Sequence, residues 1–140
     1  MRVNNVAILF FGTIIAMTIT KASFCEDVAA NSDAQIRILQ KSKLHMDGKT
    51  RVWIREHTYQ PEWKAPTHEH SSDLYLYIVS GAFELITEED GLVVYTAGQS
   101  LRMRPGLVMD ARNPSSSEQL KIAVFQVGNV DEPFVVPIDR

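Results

Sequence analysis

Apolar and polar residues alternate with a period of two along most of the chain beyond residue 35, the pattern of strands with one buried face. Leu74-Tyr75-Leu76-Tyr77-Ile78-Val79 is the strongest such segment: Leu74, Leu76 and Ile78 fall on one face, Tyr75 and Tyr77 on the other. The β-favouring residues of 51–59 predict a second strand, and Ile36–Leu39 alternates more weakly. Further strands are predicted over 82–87, 92–95, 100–103, 109–112 and 119–127. Turn signals separate them: Asp47-Gly48, Glu88-Glu89-Asp90-Gly91, Gly98, Arg104-Pro105-Gly106 and Asn113-Pro114. No amphipathic helical pattern interrupts the series. Many short strands at close spacing predict an all-β sandwich or barrel.

The N-terminus follows a different rule. Val6–Ile19 is a continuous apolar run of 14 residues behind Arg2. That is short of the roughly 20 residues that cross a bilayer, and it fits the apolar region of a secretory signal peptide. Thr20-Lys21-Ala22 supplies the small residues of a cleavage site, so residues 1–22 are expected to be a signal peptide removed after Ala22. The mature protein would be secreted or periplasmic, with no stable membrane span after cleavage. An uncleaved anchor is the alternative. Residues 23–34 are small and polar and are expected to form a flexible mature N-terminus, leaving 35–140 as one domain. Cys25 is the only cysteine, so no disulfide can form within the chain and the fold must rest on its core. The bulky Phe24 before it argues against a lipoprotein cysteine.

Charge narrows the partners. The chain carries 14 basic and 17 acidic residues, a formal net charge of −3. Cleavage after Ala22 would remove Arg2 and Lys21 and make it more negative. No basic cluster stands out, so nucleic acid is not an expected partner. There is no phosphate-binding glycine loop, no zinc-finger spacing and no Ser-His-Asp or Cys-His order.

The candidate chemistry lies in Thr67-His68-Glu69-His70. Histidines two apart on an extended strand face the same way, and Glu69 between them faces the other. Two imidazoles on the inner face of a barrel can hold a metal ion or hydrogen-bond a small molecule. Trp53, Trp63 and Phe83 are expected to pack rather than to form a stacking platform, and Arg102, Arg104 and the Glu88-Glu89-Asp90 tip to be solvated.

These residues resemble the two motifs of the cupin family. In the first, His68 and His70 match the His-x-His pair and Gly81 the closing glycine, while the glutamate slot holds Leu74. In the second, Gly98, Gly106 and Asn113 keep register; Pro105 stands one place late with Arg104 in the proline slot, and the histidine slot holds Met109. The resemblance implies a single-domain, jelly-roll-like cupin β-barrel that pairs as a homodimer. It also implies a divalent transition metal, Cu, Fe, Mn, Ni or Zn, held by three histidines and a glutamate.

Three expectations stay open. His68 and His70 bind a metal with help from Met109, His57 or Asp73, the His-His-Met set suiting copper. Alternatively the barrel binds an organic ligand without metal, in a pocket of Leu74, Leu76, Tyr77, Met109 and Ala111. In the third, the barrel is a structural or interaction module. An enzyme of the family's usual kind, a metal-dependent oxygenase, isomerase or lyase, is the catalytic alternative.

Overall fold

The computed structural model describes residues 33–44, 48–129 and 131–139. The signal peptide, its cleavage site, Cys25 and nearly all of the expected flexible segment lie outside the described residues. Among the described residues no helix is long and apolar enough to cross a membrane.

The described residues form ten strands: β1 (Ala34–Lys43), β2 (Thr50–Tyr59), β3 (His68–Glu69), β4 (Asp73–Ser80), β5 (Ala82–Thr87), β6 (Gly91–Thr96), β7 (Ser100–Met103), β8 (Met109–Arg112), β9 (Leu120–Asn129) and β10 (Val136–Pro137). They form two five-stranded sheets, in the orders β1-β2-β9-β4-β7 and β10-β3-β8-β5-β6. Every ladder is antiparallel. The fold is all-β and jelly-roll-like, as the alternation predicts.

Burial follows parity. On β4, Leu74, Leu76 and Ile78 are buried while Tyr75 and Tyr77 are exposed. On β9, Leu120, Ile122 and Val124 are buried; on β5, Phe83 and Leu85; on β8, Met109 and Ala111. These inner faces make one apolar cluster between the sheets, and removing their area from water is the main favourable term in folding. Tyr77, expected in the ligand pocket, instead stands on the outer face and is 47% exposed. The strict alternation of β4 puts it there, because Leu76 and Ile78 take the inner positions on either side.

Two strands escape the sequence pattern. β3 and β10 have two residues each, too short to show a period, and they pair with one another at the sheet edge. Pro137 fits there because an edge strand need not donate from every residue. β1 begins at Ala34 and runs to Lys43, longer than the weak Ile36–Leu39 signal and one residue into the expected linker.

Asn113 locks the loop before β9. It is buried; its Nδ2 donates to the carbonyls of Gln60 (3.0 Å) and Glu118 (2.8 Å), and its Oδ1 accepts from the Ser115 amide (3.1 Å). Gly81 makes the tight passage from β4 to β5 at a φ of 80°, and a Cβ there would lie 2.7 Å from the carbonyl oxygen of Gln119. Gly106 also has positive φ (73°) but open space around it. Gly81→Ala is therefore expected to cost about 2 kcal/mol or more, from strain plus the backbone clash, and Gly106→Ala about 1 kcal/mol, from strain alone. Denaturant unfolding of the two variants checks the order; equal losses would show that the contact with Gln119 carries no weight.

Candidate functional site

Between the sheets lies a cavity of about 290 Å³. Its wall is mostly apolar, with Leu74, Leu76, Met109, Ala111, Phe83 and Ile122 among the lining residues. The polar groups on the wall are few, and three of them are imidazoles: His57, His68 and His70.

His68 is held by the ladders on either side of β3. It lies opposite Pro137 of β10 and Met109 of β8. Its Nδ1 is 2.8 Å from the carbonyl oxygen of Pro66. A carbonyl can only accept, so Nδ1 carries the hydrogen and, in the neutral ring, Nε2 is left with a bare lone pair. His70 is fixed in the same way at long range: its Nδ1 donates to the carbonyl of Phe134 at 2.5 Å. The two rings meet edge to face with centroids 5.0 Å apart. Burial pushes the His70 pKa down to about 4, only partly opposed by the bond to Phe134, with His68 and Arg55 lowering it further. His70 is therefore neutral at pH 7 and offers Nε2 as an acceptor.

His57 comes from β2 and is nearly inaccessible. Its Nδ1 lies 2.7 Å from the Tyr59 hydroxyl, and its Nε2 is enclosed with no hydrogen-bond partner among the described residues. Burial, with Arg55 and His70 nearby, pushes its pKa down to about 3. Burial also raises the Tyr59 phenol, so both groups stay neutral. The Phe134 ring fills the space between two of the histidines, 5.6 Å from His57 and 4.9 Å from His70 between centroids. Beside His57, Tyr59 in turn stacks on Trp63 at 3.7 Å and 24°.

The structure thus brings His57, His68, His70, Leu74, Leu76, Met109 and Ala111 to one cavity. It does not bring Asp73 there. Asp73 is on the outer parity of β4, where its carboxylate pairs with Arg102 at 2.6 Å. A slip into the glutamate slot would break that pair and turn Leu74 out of the core. Tyr77 is likewise absent from the wall. Phe134, Tyr59 and Trp63 are the site residues the sequence does not announce. Tyr59 shares the parity of His57 and is legible in hindsight; Phe134 reaches His70 across 64 positions and leaves no local signal.

A four-ligand metal centre of three histidines and a glutamate does not fit this donor set. Its carboxylate position is Leu74 and its third histidine position is Met109, both about 1% exposed. Among the described residues no group of three His, Cys, Asp or Glu side chains is placed to hold an ion.

A family model described as "Cupin domain" matches residues 55–125. Among solved structures, the chain is similar to the polyketide cyclase RemF from Streptomyces resistomycificus (17% identity, TM-score 0.59, covering 78% of this chain and 73% of that one). It is also similar to a cupin 2 domain-containing protein from Halorhodospira halophila (16%, TM-score 0.61, 81% and 76%) and to KdgF from Halomonas sp. (18%, TM-score 0.55, 72% and 84%). At these identities the likeness is one of fold. No curated protein matches the chain by sequence.

The buried imidazoles set a pH dependence. Unfolding releases His57 and His70 to an ordinary pKa near 6.5, so below that pH the unfolded chain binds protons that the folded one refuses. Stability attributable to them is full above about pH 6.5 and falls as pH drops through about 4 and then 3. His57→Gln is expected to flatten the pH 7 to pH 4 decline in melting temperature relative to the unsubstituted protein. Parallel curves for the two proteins would refute the assignment.

Proposed function

The chain belongs to the cupin family, and we propose that it uses the family barrel to bind a small, largely apolar organic molecule carrying hydrogen-bond donors, without a metal. The observation that supports this most is the pairing of an apolar cavity with imidazoles whose Nδ1–H groups are already spent on backbone carbonyls. In the neutral rings, His68 and His70 then present acceptors, and a hydroxyl, amide N–H or protonated acid of the ligand completes them. An apolar body fills the space lined by Leu74, Leu76, Phe83 and Met109. This is the ordinary chemistry of a small-molecule site: apolar walls for affinity and a few polar groups for orientation. His57 stands in the same wall, but its unpartnered Nε2 is enclosed.

A second reading has one observation in its favour. An imidazole whose Nδ1 donates to a carbonyl is oriented as metal-bound histidines are, with Nε2 aimed outward. His68, His70 and the Met109 thioether opposite His68 would then hold a soft ion such as copper. Export to the periplasm or beyond, homodimerisation and an enzymatic role remain proposals that accompany either reading.

The two readings separate in one experiment. The purified protein is screened by thermal denaturation against small aromatic and aliphatic alcohols, amides and acids, with and without chelator. The metal-free reading expects a binder that raises the melting temperature by on the order of 10 °C at ~100 times its Kd. The rise survives chelator and is lost in the His68→Ala/His70→Ala double variant. A rise abolished by chelator, or stoichiometric copper in the purified protein that disappears with the histidines, reverses the choice. A companion variant tests the register: Leu74→Glu/Met109→His is expected to gain Zn or Mn binding and to lose several kcal/mol of stability in chelator, because it buries an uncompensated carboxylate. No gain in metal binding would show that residues 74 and 109 do not converge with His68 and His70.

A further inference from the structure

Below the histidines on the inner face of β2 lies a buried cation that the cavity does not use. Arg55 is 5% exposed. A guanidinium out of water needs a counter-charge, because stranding it costs several kcal/mol. Yet neither Arg55 nor its face-mate Arg51 makes an ion pair among the described residues. Instead Trp53 and Phe134 pack against the guanidinium carbon at 4.1 and 4.4 Å. One of its nitrogens, Nη1, donates to Gln126 Oε1 at 2.6 Å.

That arrangement is rigidly held. Gln126 is itself buried, and its Nε2 donates to the Ser72 hydroxyl at 3.2 Å. Ser72 can sit there only because residue 128 is glycine: a Cβ on Gly128 would fall 2.0 Å from the Ser72 Oγ. The chain Gly128–Ser72–Gln126–Arg55 thus fixes the guanidinium through one of its nitrogens. Arg55 and Gln126 both line a second pocket of about 160 Å³, with Arg51, Trp53, Glu132 and Phe134 among the others. None of the Arg55 nitrogens is both buried and unpartnered, so those not spent on Gln126 are open to this pocket or already bonded.

We propose that this pocket is a binding site for a small monovalent carboxylate, held by the Arg55 guanidinium and separate from the histidine cavity. The fork of N–H donors matches a carboxylate's two oxygens, and aromatic packing keeps the guanidinium planar and in place. Counted over the lining residues, the charge selects a monoanion. Two arginines stand against one acidic neighbour, Glu132, whose carboxylate lies 3.4 Å from the Ser72 hydroxyl. A single negative charge balances what remains, and a dianion would exceed it. Asn129, Gln126 and the Trp53 indole are further polar residues on the wall. The volume admits an acid of a few heavy atoms.

The probe is acetate, titrated into the protein at constant ionic strength against chloride and followed by ¹⁵N–¹H NMR. The expected result is saturable shifts of the Arg55 Nε–H, the Trp53 indole N–H and the Gln126 side-chain amide, with the His68 and His70 resonances unmoved. Arg55→Lys keeps the charge but removes the fork, and is expected to weaken binding about tenfold or more. Inorganic phosphate is expected to bind more weakly than acetate. Three results overturn the proposal: shifts that stay linear or are matched by chloride, shifts centred on His68 and His70, or phosphate binding as tight as acetate. The first of these needs only the unsubstituted protein, so the outcome does not depend on whether Arg55→Lys folds. Because the readout is at Arg55, a failure here leaves the function proposed for the cavity untouched, and the converse holds as well.

Discussion

Two sheets can close on one another only if the faces they turn inward are worth taking out of water, and the whole architecture follows from that requirement. On β4, β5 and β8 the inner residues are almost all apolar, and on β9 they are apolar as far as Val124. On β2 the rule is broken twice in succession: Arg55 and His57 both face inward and both are buried. Each is a polar group placed where an apolar one would stabilise the barrel more simply. Each draws partners around it, Tyr59 for His57 and Gln126 with two aromatic rings for Arg55. His57 lines the cavity and Arg55 the smaller pocket, so both proposed sites lie at this break in the apolar lining.

Phe134 ties the break together. Its carbonyl fixes the tautomer of His70, while its ring touches His57, His70 and Arg55. It belongs to the wall of the main cavity and to that of the smaller pocket. The segment that carries it is anchored on both sides: Ser71 donates to the carbonyl of Pro133 at 2.8 Å, and Val136 and Pro137 pair with β3. The strand that carries His68 and the segment whose Phe134 carbonyl orients His70 are thus joined by the β3–β10 ladder and the Ser71 bond.

The fold was largely legible in the chain because period two is a local property. The inward set Leu74, Leu76 and Ile78 can be read from six consecutive residues, and the strands over 82–87, 100–103 and 109–112 fall between clear turn signals. Parity also carried the pair His68 and His70 to one wall. It argues against Tyr77 and Asp73 as well, since both sit on the outer face of a strictly alternating strand. What could not be read was long-range. Arg55 looks like any strand arginine until Gln126 and Phe134 arrive from positions 71 and 79 residues later. β3 and β10 have too few residues for any period. Whether His57 is a ligand, a hydrogen-bonding wall residue or packing depends on Tyr59 and on the enclosure of Nε2 without a hydrogen-bond partner among the described residues, which only the folded chain defines.

Leu74 and Met109 bear on the chemistry through the same geometry that makes them core residues. Both lie about 1% exposed on the cavity wall, and Met109 is directly opposite His68. At such positions a carboxylate or an imidazole is tolerated only with a partner that compensates its burial, and a metal ion is the strongest such partner. Leucine and methionine need none. With them these two positions need no ion to offset a buried charge, and in the metal-free reading proposed above His68 and His70 serve as acceptors on a mostly apolar wall. The barrel is the same in either case, so the function is decided by these side chains and not by the fold that presents them.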